Sequence, residues 1–171
     1  TAGMGDAGAC HPRDNIALRW LAQEYGTGYD LFDTIMHARE VQAKNLAEYM
    51  IAKSQNLPLI IHGKAYKPDV EYCIGSYSTL VGHYIQEAGH EVKYLDPLAD
   101  DTTDVIDSVD GPVCMLMAHN RKITYGYAGN ENEDRFYCDV LPGTIIIDPW
   151  RKLKSTDNYQ VYHYGNTREM D

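Results

Sequence analysis

The sequence predicts an α/β fold: a parallel sheet covered by helices, preceded by a helical segment that contains one long helix. Three observations carry this. Leu57 to His62, Val113 to Ala118 and Thr144 to Asp148 are short apolar runs without alternation, the pattern of strands buried on both faces. A stretch of helical spacing, Ser76 to Ala88, separates the first of these from the next strand, and strand–helix alternation favours a parallel sheet. Ahead of all of them, Tyr29 to Lys53 holds an unbroken helical pattern.

Taken in order, the chain opens on a glycine-rich loop, Gly3 to Ala9, followed by Cys10, Pro12 and Asp14. Pro12 suits the start of a helix, where a missing N–H costs little, and the first helix is expected from Pro12 to Tyr25. Ile16, Ala17, Trp20 and Leu21 fall at helical spacing, and Gly26-Thr27-Gly28 stops the helix. In the long helix Leu31, Ile35, Ala38, Gln42, Leu46 and Tyr49 mark one face, while Phe32, Met36 and Met50 widen it. A helix with apolar residues on two sides packs against more than one neighbour, as a dimer element or a connector. Gln55-Asn56 ends it.

From Leu57 the alternating pattern takes over. A loop from Gly63 to Gly75 follows the first strand. The helix Ser76–Ala88 carries Leu80, Val81, Tyr84 and Ile85 and stops at Gly89. Glu91 to Leu95 is a strand closed by Asp96-Pro97, and Leu98 to Asp110 is polar and acidic, with at most a short helix. After Val113–Ala118, the stretch from His119 to Tyr137 reads as a solvated loop. Leu141-Pro142-Gly143 turns the chain into Thr144–Asp148, and Gln160–Tyr164 is a last, weaker strand. Two segments result: residues 1–54, the loop and helices, and residues 55–171, the sheet.

The formal charge of −10 argues against a nucleic-acid or anionic-membrane surface. No apolar run reaches the length of a membrane span. The four cysteines, Cys10, Cys73, Cys114 and Cys138, are widely spaced with no C-x-x-C pair, so no metal site is expected. They read as a reduced thiol set, consistent with a cytoplasmic location.

Two stretches carry candidate chemistry. A glycine-rich loop lets backbone N–H groups approach a ligand, and a cysteine just before a helix N-terminus sits where the dipole favours a thiolate. Asp14, four residues on, faces the same side one turn up. Spacing alone leaves this stretch open between an activated thiol and an ordinary loop with a bystander cysteine. Gly3-x-Gly5-x-x-Gly8 also matches a dinucleotide-binding spacing, but no strand precedes it. The second stretch, Gly63-Lys64-Ala65-Tyr66-Lys67-Pro68, follows the first buried strand. In open parallel sheets ligands bind at the carboxyl ends of strands, which points to the loops after His62, Leu95, Ala118 and Asp148. Lysine offers a point charge for phosphate and tyrosine a stacking face. The plain alternative is a surface turn with two solvated lysines.

Together these stretches resemble the UDP-glucose/GDP-mannose dehydrogenase family. Gly3-x-Gly5-x-x-Gly8-x-Cys10-x-Pro12-Arg13-Asp14 resembles that family's nucleophile loop, and Gly63-x-Ala65-Tyr66-Lys67-Pro68 its Gly-x-Ala-Phe-Lys-Pro loop. The long helix between them, Tyr94-Leu95-Asp96-Pro97 and the strand ending in Asp148 fit the same pattern. The resemblance implies a central helix plus a Rossmann-like nucleotide-sugar-binding domain. It implies oxidation of the C6 alcohol of a UDP- or GDP-linked sugar to a carboxylate, with NAD as cofactor. Cys10 would form the thiohemiacetal and thioester, Asp14 would handle the water, and Gly5, Gly8, Tyr66 and Lys67 would contact the substrate. Arg13, where the family has lysine, would lie near the cofactor. The long helix resembles the family's dimer helix and implies a homodimer. The NAD site would lie mostly on a further domain, so these 171 residues are not expected to catalyse alone.

The chain also departs from the pattern. Asp6 places a negative charge in the opening loop. Ile74 stands where the family has an arginine that reaches a cofactor phosphate. These departures motivate a second reading, a divergent nucleotide-sugar-binding or oligomerisation module without catalysis. A third is an unrelated thiol enzyme of similar fold.

Overall fold

The computed structural model describes residues 4, 8–96, 98–99, 111–120 and 140–165. Gly5, Asp6, Cys138, most of the expected acidic stretch at 98–110 and most of the loop at 119–137 lie outside the described residues. Helices α1 (Cys10–Glu24) and α2 (Leu31–Lys53) come first. They are followed by β1 (Leu59–His62), α3 (Tyr77–Glu87), β2 (Val92–Leu95), β3 (Cys114–Met117), β4 (Thr144–Asp148) and β5 (Tyr159–His163).

The five strands form one sheet in the order β2-β1-β3-β4-β5. Every pair is parallel, with Leu59 opposite both Val92 and Cys114 and Ile146 opposite both Met115 and Val161. The Rossmann-like α/β fold expected from the sequence is therefore what forms. β1, β3 and β4 are buried along their whole length, which explains their lack of alternation. Leu59, Ile61, Cys114, Leu116, Ile145 and Ile147 pack on one face with α2 and α3, through Ala43, Leu46, Met50, Val81 and Ile85. Ile60, Met115, Met117 and Ile146 form the core of the opposite face with Leu95, Val113 and Leu153.

The first helix begins two residues earlier than expected, at Cys10. Pro12 is tolerated there because the first N–H groups of a helix have no intrahelical partner. Cys10 is thus the first helical residue rather than one lying outside the helix. Asp30 caps α2, its side chain accepting a hydrogen bond from the Asp33 N–H at 2.9 Å. Gln55 and Asn56 end that helix with φ of 52° and 64°.

Only the C-terminal half of α2 reaches the sheet, with Ala43, Leu46, Ala47 and Met50 as its buried residues. Leu31, Ala38 and Gln42, placed on the apolar face by spacing, are exposed. α1 packs against α2, and its stripe Ile16, Trp20 and Leu21 stays exposed, Trp20 to 61%. A stripe needs a second surface to lie on, and the element that α1 packs against is α2.

Candidate functional site

The sheet order creates a switch point. From β1 the chain crosses to β2 on one side, then returns past β1 to β3 on the other. In open parallel sheets such a point marks a crevice at the carboxyl ends of the strands. A cleft of ≈ 150 Å³ lies there. Tyr66, Lys67, Ser76, His119 and Trp150 are among the residues that line it, with Met4 of the opening loop.

The loop after β1 is fixed from three directions. Asp96, at the end of β2 and 5% exposed, accepts the Lys64 and Ala65 N–H groups on Oδ2, both at 2.9 Å. His119, after β3, bonds the Ala65 carbonyl through Nε2 at 2.9 Å. A carbonyl only accepts, so Nε2 carries the proton. Ser76 Oγ donates to the same carbonyl at 3.2 Å, and Ser78 Oγ donates to the Lys64 carbonyl at 3.0 Å. Gly63, at φ 102°, lets the His119 ring lie directly against its α-carbon, since a Cβ there would overlap the imidazole. On the far wall, Trp150 Nε1 donates to the Met117 carbonyl at 2.8 Å. Asp148 at the end of β4 is fully buried. It accepts the Trp150 N–H on Oδ1 and the Lys152 and Leu153 N–H groups on Oδ2, at 2.7 to 2.9 Å.

The two stretches singled out by the sequence meet here. A Cβ on Gly8 would stand 3.0 Å from the Tyr66 ring, so the opening loop lies on that ring. Tyr66 is half-buried, and Lys67 is exposed with its ammonium 5.3 Å from the Tyr66 ring centroid. Lys64 turns away, its ammonium 5.5 Å from the Tyr94 ring centroid. Cys10 is exposed at the start of α1. Arg13 and Asp14 are exposed and paired, Nε to Oδ1 at 2.8 Å. The guanidinium is held above its ordinary value by the hydrogen bond to Asp14, then by the charges of Asp14 and Cys10. Arg13 and Asp14 thus form an exposed ion pair in the turn that follows Cys10. Gly5 lies outside the described residues. The motifs did not single out His119 or Trp150. Both sit in loops after β3 and β4, where the carboxyl-end rule already pointed.

Burial pushes the Cys114 thiol up to about 12. Alkylation of the native chain at mildly alkaline pH should therefore label exposed Cys10 and spare Cys114. Peptide mass spectrometry reads this, and equal labelling would contradict the burial. Among the described residues no cluster of three or more His, Cys, Asp or Glu side chains could hold a metal ion. None of the described helices is long and apolar enough to cross a membrane.

The chain is 25% identical over 163 residues to the UDP-glucose 6-dehydrogenase TuaD of Bacillus subtilis, an alignment covering 94% of the chain. It is 27% identical over 162 residues to the UDP-glucose 6-dehydrogenase of Rhizobium meliloti, covering 91% of the chain. The chain is similar to UDP-glucose 6-dehydrogenases along nearly its whole length. The resemblance read from its sequence is borne out. The chain spans about a third, 32%, of each of these relatives. In fold it is similar to a GDP-mannose dehydrogenase from Pseudomonas aeruginosa, with a TM-score of 0.62 at 15% identity. That likeness covers 94% of this chain and 40% of the other. No family model matches the chain.

The loop after β1 runs Gly63-Lys64-Ala65-Tyr66 rather than a Gly-rich turn, and Ile74 is uncharged and 66% exposed.

Proposed function

We propose that this chain is the thiol-bearing, substrate-binding portion of an NAD-dependent nucleotide-sugar 6-dehydrogenase. The observation that carries this is the packing of Gly8 on Tyr66, which joins the cysteine loop to the switch-point cleft. Similarity to two UDP-glucose 6-dehydrogenases supports it.

In this reading the nucleotide sugar lies in the cleft, with Tyr66 and Lys67 against it and the backbone of Gly5 and Gly8 along the sugar. The Cys10 thiolate adds to the C6 aldehyde carbon and gives a thiohemiacetal, whose oxidised form is a thioester. Asp14 takes a proton from the water that cleaves the thioester, releasing the carboxylate and the Cys10 thiol. Arg13 balances the charge that Cys10 and Asp14 carry through this cycle. NAD supplies the hydride acceptor and is held mostly by a part of the enzyme other than these residues, with Arg13 near it.

In a protein that also carries the NAD-binding portion, Cys10→Ala is expected to lower NADH production from a UDP- or GDP-sugar by at least about a thousandfold. Equal activity in the variant would overturn the nucleophile assignment. The exposed, uncharged Ile74 favours a second reading, a nucleotide-sugar-binding module without oxidation. It predicts a melting-temperature shift with UDP-sugar and no NADH in either protein.

The proposal includes a homodimer formed through α2. Leu31 and Val41 on that helix, with Ile16 and Trp20 of α1, leave an apolar surface open. Light scattering of the intact protein should give twice the chain mass, and a monomeric mass would refute the dimer.

A further inference from the structure

We infer that Gly75 is a positioning residue for Cys10, the seat on which the first turn of α1 rests. A Cβ on Gly75 would stand 2.6 Å from the Ala9 Cα, 2.8 Å from the Ala9 N and 3.1 Å from the carbonyl carbon of Gly8. All three are backbone atoms, which cannot swing aside as a flexible side chain would. Gly75 also holds φ at 73°, a conformation open chiefly to glycine. The loop from Gly63 to Ser76 therefore grips two consecutive residues before the cysteine, Gly8 through Tyr66 and Ala9 through Gly75.

The seat is itself held in place. Arg39 of α2 donates from Nη2 to the Gly75 carbonyl at 3.2 Å. Its side chain is only 9% exposed, and its guanidinium lies 5.8 Å from the Tyr77 ring centroid. The Ser76 N–H closes the turn onto the Cys73 carbonyl at 3.0 Å. The N-cap of α1 is Ala9, which offers no side-chain hydrogen bond to the first turn. The direction in which Cys10 leaves the helix start is thus fixed by a contact from the substrate loop. The catalytic meaning of the seat rests on the proposed function, while the seat itself does not.

Gly75→Ala tests it, with Gly89→Ala as the control. Gly89 has φ 86° and nothing within 4 Å of a built Cβ, so alanine there carries the backbone strain without the contact. The readouts are the Cys10 alkylation rate by iodoacetamide, amide hydrogen exchange over residues 10–14, and UDP-glucose affinity. Gly75→Ala is expected to slow alkylation by about threefold or more, because the thiol leaves the aligned N–H groups of the helix start. It should also speed exchange of those amides more than exchange in the strands of the sheet, a split that general destabilisation would not produce. Gly89→Ala should change neither rate nor exchange. Should Gly75→Ala fail to fold, Arg39→Met removes the anchor without backbone strain and should move rate and exchange in the same directions. An unchanged or faster Cys10 rate in the Gly75 variant, or in the Arg39 variant where that one is used, overturns the seat. If the parent chain binds no UDP-glucose, the functional proposal fails, and rate and exchange still decide the seat.

Discussion

Asp148→Ala is expected to destabilise the chain by about 3–5 kcal/mol, or on the order of 10 °C in melting temperature. The carboxylate is fully buried at the end of β4. It is the acceptor for three backbone N–H groups, those of Trp150, Lys152 and Leu153. Alanine leaves those donors without an acceptor, and each unsatisfied buried donor costs about 1–3 kcal/mol. His163 would hold part of the turn, because its Nε2 donates to the Leu153 carbonyl at 2.9 Å. Asp148→Asn, which keeps one oxygen, should lose less. Denaturant unfolding measures both variants. A loss below about 1 kcal/mol in the alanine variant would mean that the turn holds itself without the carboxylate.

Asp96→Ala is expected to weaken nucleotide-sugar binding at least about tenfold, close to 1.4 kcal/mol. Asp96 does not face the cleft. It holds the Lys64 and Ala65 N–H groups, and Leu98 N–H at 3.3 Å, so that Tyr66 and Lys67 stand at the cleft edge. Without it the loop must be ordered by the ligand, and the ordering cost appears as lost affinity. Asp96→Asn can present its amide oxygen to the same two donors and should retain most of the binding. Calorimetric titration with UDP-glucose and GDP-mannose reads this. Wild-type affinity in Asp96→Ala would show that the loop is ordered without the aspartate.

These two aspartates show what a sequence leaves open. Tyr94-Leu95-Asp96-Pro97 and the strand ending in Asp148 stand out as features of a family pattern, and in the sequence neither has a stated task. In the structure Asp148 is the hydrogen-bond acceptor for the turn that follows its own strand, and Asp96 accepts from the loop after β1 and from Leu98. That role depends on three N–H groups converging on one carboxylate, which residue spacing does not report. His119 is a similar case. It lies two residues past β3, yet its partner is the Ala65 carbonyl after β1, reached only because β1 and β3 are neighbours.

What the sequence by itself determined is local. Fully apolar, non-alternating runs marked β1, β3 and β4, because strands buried on both faces need no polar side. Gly26, Gln55-Asn56 and Gly89 marked helix ends, because their backbone angles suit no helix interior. The opening loop and the Tyr66-Lys67 loop were legible as motifs, with Cys10 placed just before a helix and Asp14 one turn beyond it. Only the tertiary structure decided which elements are neighbours. Periodicity says that a face is apolar but not what covers it, and the α1 residues Ile16, Trp20 and Leu21, which fall at helical spacing, stand exposed. The strand order put β1 between β2 and β3 and opened the cleft there. The same folding brought Gly8 onto Tyr66 and Ala9 onto Gly75, two contacts through space that join the cysteine to the loop beside it.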